Sequence, residues 1–256
     1  MAADGGLGLE EPSDWYDVPS THGTDCHLIN RDASNAFDRE ECTFGPTGSS
    51  GTGTVVLLGD ALANAVGPGV VEAGAARGWN TVQWSREGCP FVGVAPGPHY
   101  PACREWQDAA LELVEETAPE AVVLANQDLN EAQRAALPGT LGDLERLTDR
   151  VVLVAPIADF GDRFPRHRLS LVDPEPAIRS LSRDEVDSQR SGVVSLLEDL
   201  AARSPAVVMV DPLDRLCERE CSPERDRRWL YLEPRQLTAT GARLLSDEFG
   251  VALGAP

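Results

Sequence analysis

No stretch of roughly 18 consecutive apolar residues occurs in this chain of 256 residues, so the sequence predicts no membrane-spanning helix. Basic side chains are scarce too: 22 Lys and Arg stand against 42 Asp and Glu, a formal net charge of −20. That deficit argues against nucleic acid as a partner, because such binding rests on cations neutralising phosphates. It also argues against adsorption to anionic lipid. A solvated acidic surface is the plain expectation, and an acidic groove for a cationic ligand is the alternative. Met1 to Asp14 hold neither a basic cluster nor an apolar stretch, so they do not read as a signal peptide; for an exported protein, either the targeting segment lies outside this chain or the chain is an excised domain. Metal-ligand spacing is poor, since Cys217 and Cys221 have no second pair and no nearby His. Gly51-Thr52-Gly53 precedes a strand instead of following one, which removes it as a dinucleotide fingerprint. No cofactor and no metal is expected.

What the chain does have is an alternation of short apolar runs and helical segments from residue 54 onward. Thr54-Val55-Val56-Leu57-Leu58 runs into Gly59-Asp60 and then into Ala61-Leu62-Ala63-Asn64-Ala65. The apolar run bounded by Gly predicts a buried strand, and Asp60 is placed to cap the helix that follows. Further strands are predicted over 81–84, 121–125, 151–155 and 207–210. Helices are predicted over 62–77, 105–117, 129–147, 184–202 and 238–249, with breaks near Gly67-Pro68-Gly69 and Pro138-Gly139. Continuous apolar runs fit a parallel sheet covered on both faces. The expectation is a three-layer α/β/α, flavodoxin-like domain with a parallel five-stranded sheet. Residues 1–45 read as an acidic, Gly/Pro-rich N-terminal segment with a tied loop, and residues 46–256 as the domain. No internal repeat is visible.

The turn between a parallel strand and a helix N-terminus is where such folds place their chemistry, and there the backbone N–H groups favour an oxyanion. Leu57-Leu58-Gly59-Asp60-Ala61-Leu62-Ala63 resembles the first block of SGNH (GDSL-type) hydrolases. Within that family it is similar to the extracytoplasmic SGNH domain of membrane O-acyltransferases of the acyltransferase-3 type. Cys89-Pro90-Phe91 after the second strand, Asp211-Pro212 after the last strand, and Leu237-Thr238-Ala239-Thr240-Gly241-Ala242 extend the likeness over roughly residues 40 to 250. The resemblance implies the fold above, an ester or acyl-transfer chemistry on carbohydrate, and short-range disulfides pairing Cys26 with Cys42, Cys89 with Cys103, and Cys217 with Cys221. The cysteines alone leave other pairings, a reduced set and metal open. Disulfides would place the chain in an extracytoplasmic compartment, on the secreted or cell-surface side of a membrane.

The family's chemistry needs a Ser nucleophile, a His base, a carboxylate to orient it, and donors for the oxyanion. This chain holds Ala61 at the nucleophile position. In Tyr231-Leu232-Glu233-Pro234-Arg235-Gln236 it holds Glu233 at the acid position and Gln236 at the base position. Alanine has no reactive atom, and Gln cannot serve as a base near neutral pH. Gly59, Asp60 and Asn126 are the expected cleft or oxyanion residues. His99, His167 and Ser85 are candidates for a relocated group, and Trp84, Trp106 and Trp229 for stacking on a sugar.

The sequence therefore reads as a catalytically degenerate SGNH-like domain related to carbohydrate O-acyltransferases and esterases. It would serve as a module for a cell-envelope glycan or acyl-carbohydrate, or as a partner of a membrane acyltransferase domain. The alternatives are an active O-acetyl transferase or esterase with a relocated or engineered-away triad, and a purely structural extracytoplasmic module.

Overall fold

A computed structural model of the chain describes residues 17–19, 24–29, 37–46, 52–97, 100–164, 180–226 and 228–254. Two short strands come first, β1 (His27–Leu28) and β2 (Thr43–Phe44), followed by β3 (Gly53–Gly59), α1 (Ala61–Ala76) and β4 (Trp79–Arg86). The alternation continues through α2 (Pro101–Thr117), β5 (Ala121–Ala125), α3 (Glu131–Leu144) and β6 (Val151–Val154). Then come β7 (Leu181–Ser182), α4 (Arg183–Arg203), β8 (Val207–Val210), α5 (Leu213–Leu216), β9 (Glu220–Cys221), β10 (Glu224–Arg225) and β11 (Arg228–Trp229). The last elements are β12 (Tyr231–Glu233), β13 (Gln236–Leu237), α6 (Ala239–Arg243) and α7 (Ser246–Ala252).

The main sheet runs β1-β4-β3-β5-β6-β8, with β2 also paired to β4. The five long strands are parallel to one another. Alternate residues of β3 feed opposite cores: Val55 and Leu57 pack on the side of α1 and α7, while Val56 and Leu58 face the apolar stripes of α2, α3 and α4. The expected three-layer architecture is thus present. The strand count is not: the sheet has seven strands, because His27–Leu28, just after Cys26, and Thr43–Phe44, just after Cys42, add two. β1 lies parallel to β4 with His27 opposite Ser85, and β2 lies antiparallel to it with Thr43 opposite Val82. Together they cover an edge that would otherwise present unpaired N–H and C=O groups. Strands this short carry no periodic signal, so they were invisible in the hydropathy pattern.

Two of the expected helix breaks are absent. α1 is continuous through Pro68 and α3 through Pro138. The glycines beside Pro68 are there for close approach. A Cβ on Gly67 would meet the Gln83 Oε1 at 2.4 Å, and one on Gly69 the Ala242 carbonyl oxygen at 2.3 Å. Where the sequence predicts one terminal helix there are two: the Leu245 N–H bonds back three residues to the Ala242 carbonyl, the chain turns, and Leu245 is fully buried. Disulfides join Cys26 to Cys42, Cys89 to Cys103 and Cys217 to Cys221, as implied by the resemblance. Among the described residues no helix is long and apolar enough to cross a membrane.

Candidate functional site

The end of β3 sets the site. Gly59 has φ +146°, a region open to glycine, and a Cβ there would lie 1.9 Å from the Ala125 carbonyl oxygen. The chain can therefore pass tightly against β5 and turn into α1. Asp60 caps that helix, its Oδ1 accepting the Leu62 N–H at 2.9 Å. The same carboxylate takes the Gln127 N–H at 2.9 and 3.0 Å. Asp60 is buried, and burial pushes its carboxyl up to about 7; the N–H groups of Leu62 and Gln127 pull the other way and lose, and the nearby acids Glu87 and Asp128 add to the rise.

Ala61 follows at the first position of α1 and lines a cleft of about 730 Å³, within the range of small-ligand sites, about 300–1,000 Å³. The opposite wall is the β12–β13 hairpin. Its pairing sets Glu233 across from Gln236, with Pro234-Arg235 at the tip, and the Phe160 N–H donates to the Pro234 carbonyl to hold the tip in place. Asp60, Ala61, Glu233 and Gln236 all line this one cleft. Four positions drawn from two distant blocks of the sequence are therefore brought together; Gly59, the residue before Asp60, is not among those lining the cleft.

Asn126 is placed differently from expectation. It is buried, its Oδ1 accepts the Phe91 N–H at 2.9 Å, and it is not among the residues lining the cleft. Gln127 and Asp128 line it instead. The Gln127 side chain is held against Ile157, its Nε2 donating to the Ile157 carbonyl at 3.0 Å. Ser85 lies on β4, fully buried. Trp84, Trp106 and Trp229 are all in the packed interior, and none lines the cleft. His99 and His167 lie outside the described residues. Thr238 caps α6 through its Oγ1, which accepts the Gly241 N–H at 2.9 Å.

The sequence reasoning missed His27. It is buried at the sheet edge, yet lines the cleft. Its Nδ1 is 2.9 Å from the Ser85 Oγ, and its Nε2 is 3.5 Å from a Glu87 carboxylate oxygen. Nothing in the local sequence marks it except its place beside Cys26. Gln133 was missed as well. It closes a capping box with Asn130 at the start of α3, and it lines the cleft.

The cleft is acidic. Asp60, Glu87, Asp128, Asp159 and Glu233 line it, against Arg235 and His27. Arg235 is engaged by Asp128 and lies 3.7 Å from Asp159. A second cavity of about 470 Å³ adjoins it, sharing Gln127, Asp128, Asp159 and Gly161. Arg190 helps to line that cavity and binds Asp211 through both Nη atoms at 2.6 Å. Among the described residues no group of three or more His, Cys, Asp or Glu could hold a metal ion.

A family model described as "SGNH domain (fused to AT3 domains)" matches residues 25–250. The chain belongs to this SGNH family. The SGNH domain is also similar in structure to the periplasmic domain of a lipopolysaccharide acetyltransferase from Salmonella ser. Paratyphi A, with a TM-score of 0.61, 14% identity, and coverage of 79% of this chain and 84% of that one. At that identity the likeness speaks for the fold. A catalytic mutant of an acetylxylan esterase from Geobacillus stearothermophilus aligns at a TM-score of 0.48 and 13% identity, covering 81% of this chain and 96% of that one. No curated protein matches the chain. In this SGNH domain the described cleft is lined by Ala61 and Gln236, the two residues at which the motif resemblance leads one to expect nucleophile and base.

Proposed function

We propose that this SGNH domain binds an acylated carbohydrate of the cell envelope without forming an acyl-enzyme, as a module working beside a membrane acyltransferase. One observation supports the reading: the cleft is open and is lined by Ala61 and Gln236, the residues that the motif resemblance aligns with the nucleophile and base. Losing either member of such a pair costs several orders of magnitude in rate. A filled cleft would favour a purely structural module, and the open one favours binding. The fusion to AT3 domains named for the family supports a membrane acyltransferase as partner. The three disulfides support an extracytoplasmic location, as does the similarity to a periplasmic domain.

The test is hydrolysis of a chromogenic acetyl ester by the unaltered chain and by an Ala61→Ser/Gln236→His double variant. The unaltered chain is expected to be silent and the double variant to hydrolyse the ester. Comparable turnover in the unaltered chain would overturn the reading.

A second reading, an active enzyme with a relocated base, is favoured by His27, the one imidazole lining the cleft among the described residues. Its Nε2 could take a proton from a water or sugar hydroxyl, with Ser85 fixing the other ring nitrogen. Under that reading turnover in the unaltered chain disappears in His27→Ala. Under the leading reading His27→Ala changes nothing, because there is no turnover to lose.

A further inference from the structure

Arg235 stands where two cavities meet. The cleft of about 730 Å³ and the adjoining cavity of about 470 Å³ share Gln127, Asp128, Asp159 and Gly161 in their walls, and Arg235 lines only the first. Asp128 follows β5 and Asp159 follows β6, while Arg235 sits at the tip of the β12–β13 hairpin. Its guanidinium binds the Asp128 carboxylate through Nη1, and its Nε lies 3.7 Å from the Asp159 carboxylate. Both sides of this bridge are anchored in the backbone. The Phe160 N–H donates to the Pro234 carbonyl at 3.1 Å, and the Asp159 Oδ1 accepts the Gly161 N–H at 2.9 Å. One side chain thus reaches from the hairpin to the two carboxylates that the cavities share.

Stability does not account for the bridge. Arg235 is 48% exposed and Asp128 76%, and exposed ion pairs contribute about 0–1 kcal/mol. What the pairing does is occupy acceptors. Ionised carboxylates accept hydrogen bonds and donate none, so Asp128 and Asp159 suit hydroxyl groups, and each borders both cavities. In the second cavity both arginines are already paired: Arg163 with Glu185 at 2.8 Å, and Arg190 with Asp211 and Asp187. Its apolar residues Ile157, Phe160, Leu181 and Val186 are buried. The surface left for a ligand is therefore polar, with its cations neutralised, and it suits an uncharged molecule rich in hydroxyls.

Resting on the carbohydrate-binding reading above, we infer that Arg235 sets the length of glycan the domain accepts. Paired with Asp128 and Asp159, it closes the passage between the cavities and confines the ligand to the cleft. Without it, a neutral oligosaccharide runs on into the second cavity and donates its hydroxyls to the two freed carboxylates. Arg235 is then a specificity-determining residue beside the base position. An exposed pair is weak enough to be displaced, so it lowers the affinity of long glycans and does not abolish their binding.

Calorimetric titration of the full chain with xylobiose and xylohexaose reads this selection. Both probes are uncharged, so the loss of a cation does not by itself favour either. In the unaltered chain the longer sugar is expected to gain little over the shorter. Arg235→Ala should bind xylohexaose up to about tenfold more tightly, the range of one hydrogen bond to a charged group, with xylobiose unchanged. Arg235→Met keeps the stem but cannot pair, and should move the ratio of the two affinities the same way by a smaller factor. The side chain is half exposed, so both variants are expected to fold, and thermal unfolding checks this. An unchanged ratio in both folded variants would overturn this inference and leave the carbohydrate reading standing. Binding of neither sugar by any of the three chains would overturn both.

Discussion

Asp60 shows how much one residue can hold. It caps α1, takes the Gln127 N–H from the end of β5, and faces the cleft. Its place as a helix cap was legible from Gly59-Asp60 before a helical run. Its protonation was not, because burial and Gln127, 67 residues away, decide it. The consequence for stability has a definite sign. The carboxyl rises from an ordinary 3.8 to about 7 in the folded chain, so between those values the folded state holds a proton that the unfolded state has lost. Stability contributed by this group therefore falls as pH rises from about 4 to 7 and is flat above. The full span corresponds to on the order of 4 kcal/mol. Asp60→Asn, neutral throughout, is expected to remove that slope. Urea unfolding of parent and variant from pH 4.5 to 8 reads it as a stability difference that shifts toward the variant as pH rises. A constant difference would show that Asp60 is ionised throughout. Asp187 works in the opposite direction. Burial opposes its charge, but hydrogen bonds from Arg190 and Arg183 outweigh burial and hold its carboxyl below the usual range, so its contribution is lost in acid. Comparison within the Asp60 pair cancels that term. His27 marks the limit of reading at this scale: its partners Ser85 and Glu87 come from a strand far along the chain, and only the register of a two-residue strand brings them together.

At the scale of elements, the long strands were legible because parallel strands buried on both faces are continuous apolar runs. The helices around Pro68 and Pro138 were misjudged because propensity says nothing about what packs outside the helix. α1 lies against β4 and α6, and Gly67 and Gly69 let it approach. The same residue type in α3 has a different reason for being there. Gly139 is exposed, and a Cβ at that position meets nothing within 4 Å. The two sites therefore predict opposite signs for one substitution. Gly139→Ala should stabilise by up to about 1 kcal/mol through helix propensity. Gly69→Ala gains the same propensity but drives a methyl into the Ala242 carbonyl. Overpacking of this kind costs about 1–3 kcal/mol, so the net effect should be destabilising. Denaturant midpoints of the two variants decide the matter, and stabilisation in both would mean that α1 and α6 can move apart. The β12–β13 hairpin was also hidden. Glu233 and Gln236 were recognisable as block residues, but their placement on facing strands depends on pairing across a bulge.

For the whole molecule, the disulfides are the features the sequence announced best and explained least. The pairing followed from the resemblance, but its architectural use is visible only in the sheet. The Cys26–Cys42 bridge ties β1 to β2 where both lie along β4. The Cys26 carbonyl accepts the Ser85 N–H, and the Cys42 carbonyl accepts the Gln83 N–H. Two strands of two residues each have little stability of their own, since few contacts repay the ordering of the backbone. The bridge closes a loop with a sequence separation of 16, and chain-entropy arguments give about 3 kcal/mol for a loop of that size. A Cys26→Ser/Cys42→Ser variant is expected to lose about that much, lowering Tm by several degrees in a chain of this length. It should also loosen the edge of β4, so amide exchange should speed up at Gln83 and Ser85, whose N–H groups bond to the two tied carbonyls, while the β3 and β5 amides at the sheet centre remain protected. Since His27 follows Cys26 and lines the cleft, the same variant should change ligand affinity only if that wall contributes to binding. Loss of stability with uniformly faster exchange across the sheet would instead mean that the edge is not a separable unit, and that β1 and β2 belong to the cooperative core despite their length.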